Sequence, residues 1–208
     1  MTLRALLMKD FLMLSKQIKM MLVIFACFIV VSLITDMTIV LVIFALIFSS
    51  LQLLTAFSFD EMSNWDKYVN TLPVDRKTVV QSKYVLGLIL IVCGMAIFTP
   101  FVYFSDEFSK YFTLYDLFKA FVMVLSVALI YISVMIPFLI KFGTQKGRLI
   151  IFAIVFIPIF GSNFIQSSLL DIDVNQLMSY INYVPIGAFL LLLISYFVSV
   201  KWYEQKEF

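Results

Sequence analysis

Residues 18–57 read IKMMLVIFACFIVVSLITDMTIVLVIFALIFSSLQLLTAF, a run of forty residues in which only Lys19 and Asp36 are charged. A helix crosses the ~30 Å hydrocarbon core of a bilayer with about 20 residues, because each residue adds ~1.5 Å. The run is therefore about twice as long as one span requires. Thr35 and Asp36 lie near its middle and supply the polar residues of a turn. The stretch predicts two membrane helices joined as a hairpin, over residues 18–34 and 37–57.

The rest of the chain has the same apolar character. Of its 208 residues, 63% are hydrophobic and 13% are charged, and the mean hydropathy is +1.06. Soluble domains have about 45–50% apolar and about 25% charged residues, so this composition excludes a soluble protein. Four further apolar runs cover residues 85–104, 117–140, 149–165 and 184–200. The predicted fold class is an all-α polytopic membrane protein with six transmembrane helices.

The lysines and arginines are distributed unevenly over the connections between these spans. Six spans place both termini on one side, and thirteen of the fifteen basic residues fall on that side. Only Lys110 and Lys119 fall on the other. Basic residues concentrate in cytoplasmic connections. We therefore expect both termini, the connection 58–84 and the connection 141–148 to be cytoplasmic.

Residues 1–17 precede the first span and carry a pattern of their own. Apolar residues recur at helical spacings, with basic residues among the intervening polar positions: Leu3, Leu6, Leu7, Phe11, Leu14 and Ile18. This pattern predicts an amphipathic helix lying on the cytoplasmic membrane surface. A second interpretation, an ordinary helical extension of the first span into water, stays open. Residues 18–208 then form the six-span transmembrane domain.

The connection 58–84 is the most polar part of the chain. We predict a helix over residues 61–68 and an interruption at Leu72 and Pro73, because proline cannot continue a helix interior. Asp75 suits the N-cap of a second helix that starts at Arg76. Trp65 lies far from the span ends. Its indole either contacts another protein, as aromatic residues do at binding hot spots, or folds back onto lipid headgroups.

The two remaining long connections differ in charge. Residues 141–148 contain two glycines and three basic residues, which suits a tight turn near lipid phosphates. Residues 162–182 contain no lysine or arginine but are rich in Ile, Leu and Met. Asp173 with Gln176 three residues later is typical of a capping box at a helix start. We therefore expect short helices at the outer leaflet between the fifth and sixth spans.

A motif in the connection 58–84 resembles one found in bacterial ABC-2-type permeases, the membrane subunits of ABC transporters whose ATPase is a separate chain. It consists of four groups of residues: Asp60 and Glu61; Trp65, Asp66, Lys67 and Tyr68; the run from Thr71 to Lys77; and Ser82, Lys83 and Tyr84. The number and order of the spans are also similar over nearly the whole chain. Within the family, the likeness extends to permeases that export amphipathic peptides such as phenol-soluble modulins.

The resemblance implies a role for each cytoplasmic connection. The first would be the coupling element that docks on the ATPase through Asp60, Glu61, Trp65, Asp66, Tyr68, Leu72, Pro73, Arg76 and Lys77. The second would add a contact through Thr144, Lys146 and Arg148. The resemblance further implies a bacterial plasma-membrane location and pairing with a second permease copy or a paralogue.

The 208 residues contain no G-x-x-x-x-G-K-[ST] phosphate-binding motif and no histidine. We therefore expect a chain that is not an enzyme and binds no metal or cofactor, with ATP and Mg²⁺ held by the partner ATPase. No nucleic-acid partner is expected. Two other classes of function stay open. One is a membrane sensor or immunity protein that transports nothing, and the other is a membrane-embedded hydrolase using the adjacent acids Asp60 and Glu61.

Polar residues inside the predicted spans are few. Ser49, Gln52 and Thr55 follow one another at three-residue spacing and share one helix face. They line a candidate pathway or form hydrogen bonds between helices. Because no charge lies mid-span, we expect a cargo that brings its own apolar surface, such as an amphipathic peptide or lipophilic compound. Asp171 and Asp173 would attract basic groups of that cargo at the exit.

Overall fold

A computed structural model describes residues 2–35, 38–103, 114–168 and 183–206. This part of the chain is almost entirely helical and forms no strand. Its helices are α1 (Leu3–Ser15), α2 (Ile18–Thr35), α3 (Thr38–Met62), α4 (Trp65–Val69), α5 (Arg76–Tyr103), α6 (Leu114–Ser168) and α7 (Val184–Glu204). The predicted all-α class is confirmed. The predicted outer helices at 162–182, with Asp171 and Asp173, lie largely outside the described residues.

Several of these helices are long and apolar enough to cross a membrane. Within the described residues they are Arg76–Ile97, Phe118–Gly147 and Val184–Glu204, and a fourth if the bent pair Leu3–Ser15 and Ile18–Val31 is counted as one span. The structure therefore supports a multi-pass membrane protein. The count of six spans and the cytoplasmic position of both termini stay predictions.

The N-terminal part of the chain bends sharply between its first two helices. The axes of α1 and α2 are inclined by 65°, so α1 is not a straight continuation of α2. Further on, α2 ends at Thr35 and α3 begins at Thr38, which is where the sequence predicts the turn of the hairpin. Ile24, Phe25 and Phe28 of α2 form a partly buried cluster with Phe48 of α3.

One predicted local structure is wrong, and one is narrower than predicted. The helix expected over residues 61–68 is interrupted at Asn64, whose φ of 51° is left-handed, a conformation that asparagine tolerates better than most residues. The break expected over 141–148 is confined to Gly143, where two helical segments meet at a kink with φ 77° and ψ 177°, a region that only glycine adopts at low cost. The predicted restart is confirmed: α5 begins at Arg76, and the Asp75 carbonyl accepts the N–H groups of Thr78 and Val79 at 2.9 and 3.3 Å.

The described helices pack around an apolar core contributed by α3, α5 and α6. Leu53, Leu86 and Ile136 are fully buried there. Gly87 allows close approach of α5 and α6, because a Cβ at this position would lie 2.8 Å from Cδ1 of Ile132. Helix α7 lies along α6 and α5, and α1 lies across α5 and α3. This arrangement brings α1, residues 58–84, Gly143 and the last turn of α7 to one end of the bundle, here named the charged end.

Candidate functional site

Four charged side chains from three helices form a closed network at the charged end. The ammonium group of Lys9 on α1 lies 3.0 Å from Asp10 and 2.5 Å from Asp60 on α3. The ammonium group of Lys83 on α5 lies 2.9 Å from Asp10 and 2.5 Å from Asp60. Each carboxylate therefore contacts both cations. Asp10 is 1% exposed, and it lies one turn from Leu6 and one turn from Leu14 on the buried face of α1.

This network stabilises the docking of α1 because its charges cancel. Burying a charge is costly unless opposite charges and hydrogen bonds compensate it. Two cations and two anions satisfy that condition, whereas removing one partner of a buried pair costs about 3–5 kcal/mol. Lys9 also lies 4.1 Å from the centre of the Trp65 ring, so the network extends to α4. As a result α1, α3, α4 and α5 are joined at one point.

Glu61 connects the end of α3 to the interruption in α6. Its carboxylate accepts the backbone N–H of Thr144 at 2.9 Å and also accepts the Thr144 hydroxyl. These two hydrogen bonds, the hydroxyl first, hold the pKa of Glu61 below its ordinary value of 4.5. The carboxylate thus caps the helical segment that resumes after Gly143, although it belongs to another helix.

The C-terminal turn of α7 is attached to the connection 58–84. Asp66 on α4 accepts the Tyr203 hydroxyl at 3.3 Å and the Lys206 ammonium at 2.8 Å. Arg76, at the start of α5, donates to the Glu204 carbonyl at 2.6 Å. Cations near a helix C-terminus stabilise its unpaired carbonyls. The end of α7 is therefore held by both α4 and α5.

A cavity of about 110 Å³ lies among these attachments. Its charged and hydroxyl-bearing lining residues are Asp60, Glu61, Asp66, Lys83, Thr144, Tyr203 and Lys206. A bound water needs at least ~10–15 Å³ of such space and about two to four polar partners. The cavity therefore has room for several waters, which would let the surrounding hydrogen bonds exchange without leaving charges unsolvated.

The family model described as "ABC-2 family transporter protein" matches residues 5–204, nearly the whole chain. The chain belongs to the ABC-2 transporter family. No curated protein and no solved structure matches it. The charged end is accordingly part of a membrane permease of an ABC-2 transport system, and the resemblance seen in the motif of residues 60–84 is confirmed.

The structure of this ABC-2 permease divides the predicted coupling residues into inward and outward groups. Four of them have partners within the chain, as described above: Asp60, Glu61, Asp66 and Arg76. Trp65 is half-buried beneath Lys9 rather than exposed, and Leu72 is also half-buried. Tyr68, Pro73 and Lys77 are exposed. In the second contact, Thr144 is buried and Lys146 is exposed, and the Arg148 side chain lies outside the described residues.

The candidate pathway residues of the permease are engaged in packing. Ser49 is buried and donates to the Leu90 carbonyl of α5 at 3.2 Å, a hydrogen bond between helices. Thr55 donates to the Leu51 carbonyl of its own helix at 2.7 Å. Gln52 is buried, and its Oε1 has no hydrogen-bond partner among the described residues. Ser49 therefore joins α3 to α5, and the pathway role of this face stays a prediction.

Several residues of the site were not predicted from the sequence. They are Lys9, Asp10, Tyr203 and Lys206, whereas Lys83 was named only as a member of the family motif, without a role or a partner. One signal was present for Asp10: it falls at the four-residue spacing of Leu6 and Leu14, so helical periodicity places it on the apolar face. An acid at such a position requires a buried cation. Its partner Lys83 belongs to the motif of residues 60–84 but is 73 residues away, so no local pattern predicts that the two residues pair.

Proposed function

We propose that this protein is the permease subunit of an ABC exporter, powered by a separate ATPase subunit and moving an amphipathic peptide or lipophilic compound across a bacterial plasma membrane. One observation carries the coupling role. The connection 58–84 is attached to α1 through Asp60, to α6 through Glu61 and to α7 through Asp66. A displacement of this connection would be passed to three other helices at once.

The chemistry of the attachments suits such transmission. Ion pairs and hydrogen bonds have defined directions, so a shift of one partner moves the other or breaks the contact. Allosteric coupling requires elements that occupy alternative packed arrangements rather than deform continuously. The interruptions at Asn64 and Gly143 are the positions where φ values differ most from those of a helix. Motion of α4 relative to α3 would turn about Asn64, and motion between the two segments of α6 would turn about Gly143.

The need for a partner follows from the sequence. A phosphate-binding loop is absent from the 208 residues, and ABC-2 permeases work with an ABC ATPase subunit. We propose that two permease subunits, identical or paralogous, pair to form the pathway. We also propose that each subunit has six spans with both termini in the cytoplasm, so that the charged end faces the ATPase.

The cargo proposal follows from the shortage of free polar groups in the helices. Several hydroxyls described there are engaged in the bundle: Ser49 bonds Leu90, and Tyr84 lies 2.6 and 2.8 Å from the hydroxyls of Ser195 and Ser199. Gln52 is an exception, because its buried Oε1 has no hydrogen-bond partner among the described residues. Transferring a hydrophilic solute into such surroundings is costly, because its polar groups lose water without gaining partners. A cargo with its own apolar face avoids that cost.

The function is tested with the complex reconstituted in liposomes. The permease is purified together with its ATPase, and ATP hydrolysis is measured with amphipathic helical peptides and with small hydrophilic solutes. We expect stimulation by the peptides alone. An ATPase that does not copurify with the permease, or stimulation by hydrophilic solutes only, contradicts the proposal.

The coupling role has a separate readout. Glu61→Ala removes both hydrogen bonds by which α3 holds Thr144 of α6. We expect ATP hydrolysis to continue while peptide transport per ATP falls. Asp75→Asn, at an exposed position in the same connection, is the matched control and should leave the ratio unchanged. Equal ratios in both variants would show that the Glu61 contact transmits nothing.

The orientation is tested by cysteine labelling in a background without Cys27 and Cys93. A cysteine placed at Asn70 or Gln145 should be shielded from an impermeant thiol reagent in intact cells, and one at Ser168 should react. Labelling of position 70 from outside contradicts a cytoplasmic charged end, and with it the proposed ATPase contact.

A further inference from the structure

The short helix α4 has two unlike faces. One face is attached to the bundle: Val69 is buried, Trp65 is half-buried, and Asp66 is ion-paired with Lys206. The other face carries Lys67, which is exposed, and Tyr68, which is 55% exposed. The Tyr68 and Trp65 rings lie 5.5 Å apart, so the outward ring is supported by the inward one.

The charged side chains near α4 also divide between the face attached to the bundle and the outward face. Asp60, Glu61 and Asp66 all accept hydrogen bonds from within the chain. Lys67 and Lys77 are exposed and form no ion pair with any described residue. Lys146 beyond Gly143 is likewise exposed, and no ion pair links it to the described part of the chain. Taken together, these two connections expose more basic than acidic side chains. The exposed acids are Asp75 and Glu61, and the Glu61 carboxylate is already hydrogen-bonded to Thr144.

We propose that Tyr68 is the anchor by which α4 binds the ATPase subunit, and that the groove receiving it on that subunit carries carboxylates facing Lys67 and Lys77. This inference rests on the proposed function and assigns the chemistry of its partner surface. Tyrosine is enriched among the residues that dominate binding energy. Complementary charge around such an anchor speeds association and fixes its orientation.

A protein groove fits the geometry of α4 better than a lipid surface does. Attraction to anionic headgroups depends on the number of basic residues near the membrane and needs no fixed arrangement. Here three attachments, at Trp65, Asp66 and Val69, hold the anchor in place before binding. Pre-ordering reduces the entropy lost on association, which is an advantage only for a partner of defined shape.

The experiment measures the dissociation constant between the permease in nanodiscs and the purified ATPase that copurifies with the wild-type protein. Tyr68→Ala should weaken binding about thirtyfold, the effect of losing an anchor worth ~2 kcal/mol, and Tyr68→Phe should retain most of the affinity. Tyr183→Ala is the matched control, because Tyr183 is 67% exposed but lies just before α7, away from the charged end. The Tyr183→Ala variant should bind the ATPase with the affinity of the wild type.

Reversing the charges of the two exposed lysines tests whether the groove on the ATPase is acidic. Lys67→Glu with Lys77→Glu should slow association, with the largest loss at low ionic strength. The measurement is repeated in nanodiscs of phosphatidylcholine alone and in discs containing phosphatidylglycerol. An effect that appears only with the anionic lipid would assign these lysines to lipid headgroups and overturn the acidic groove.

The failures of the two proposals are distinguishable. If no ATPase copurifies with the wild-type permease, the proposed function itself fails. If the ATPase binds and Tyr68→Ala binds with unchanged affinity, only the anchor is wrong. A photo-crosslinking amino acid at position 68 gives a readout that does not depend on the stability of a variant: it should crosslink to the ATPase, and one at position 183 should not. Crosslinking from position 183 alone would place the interface elsewhere.

Discussion

Removing one carboxylate from the buried network should destabilise the protein far more than removing an exposed one. Asp10→Asn keeps the shape of the side chain but leaves the ammonium groups of Lys9 and Lys83 sharing Asp60 alone. The network then carries a net positive charge at a buried place, since residue 10 is only 1% exposed to solvent. Breaking a buried pair in this way costs about 3–5 kcal/mol.

The expected change in melting temperature follows from the size of the protein. At ~200 residues, each 1 kcal/mol lowers the melting temperature by about 2–4 °C, so Asp10→Asn should melt about 6–20 °C below the wild type. The assay is the loss of monodisperse protein in detergent on heating. Asp75→Asn, an exposed acid, should melt within ~2 °C of the wild type.

A second substitution separates charge balance from packing. Adding Lys83→Met to Asp10→Asn leaves Lys9 paired with Asp60 at 2.5 Å and restores neutrality. The double variant should therefore melt above Asp10→Asn, because the two changes are coupled by more than ~0.5 kcal/mol. The reasoning is refuted if Asp10→Asn melts like the Asp75 control, or if the two substitutions act additively.

Three further outcomes are expected. Glu61→Gln should lower stability at neutral pH by about 1 kcal/mol, as the loss of a helix cap does. Because the folded pKa of Glu61 is lowered, the difference in stability between this variant and the wild type should be full above the unfolded pKa of about 4.5. The difference should vanish as the pH falls through the folded pKa. Melting curves recorded across acidic pH would show this. Gly143→Ala should lower the free energy of unfolding by about 1 kcal/mol or more, since alanine at positive φ is strained. Its Cβ would also approach Oε1 of Glu61 at 3.3 Å. An unchanged melting temperature would mean that φ has relaxed. Tyr84→Phe removes the hydroxyl that contacts Ser195 and Ser199 and should cost about 1–3 kcal/mol, measured against exposed Tyr115→Phe.

The parts of the fold that depend on local rules could be predicted from the sequence. Hydropathy located the hairpin, and the described helices end at Thr35 and resume at Thr38 around the predicted turn. Proline and a capping acid located the start of α5 at Arg76. The two local differences from the predictions, an interrupted helix and a narrower turn, each involve one residue with positive φ, at Asn64 and Gly143. Asparagine and glycine permit that conformation but do not require it, so tertiary contacts such as Glu61 to Thr144 decided the outcome.

The site was predicted only in outline. The motif of residues 60–84 identified the connection that carries it, but not the direction in which each side chain points. Asp60 and Asp66 were expected at a partner surface, and both are engaged within the chain. Their partners come from sequence separations of 51 and 140 residues. Helical periodicity relates residues only a few positions apart, so it cannot predict these pairings.

The order in which the network's members are synthesised has a consequence for how the protein matures in the membrane. Lys9 and Asp10 leave the ribosome first, and their partners Asp60 and Lys83 follow 51 and 73 residues later. At ~5–20 residues per second, α1 waits several seconds with an unburied acid on its apolar face. Until α5 has been synthesised, Lys83 cannot balance the charge of Asp10, so α1 cannot occupy its buried position. The four-charge ring can therefore close only after Lys83 has been synthesised, so the docking of α1 in its final position follows the arrival of α5.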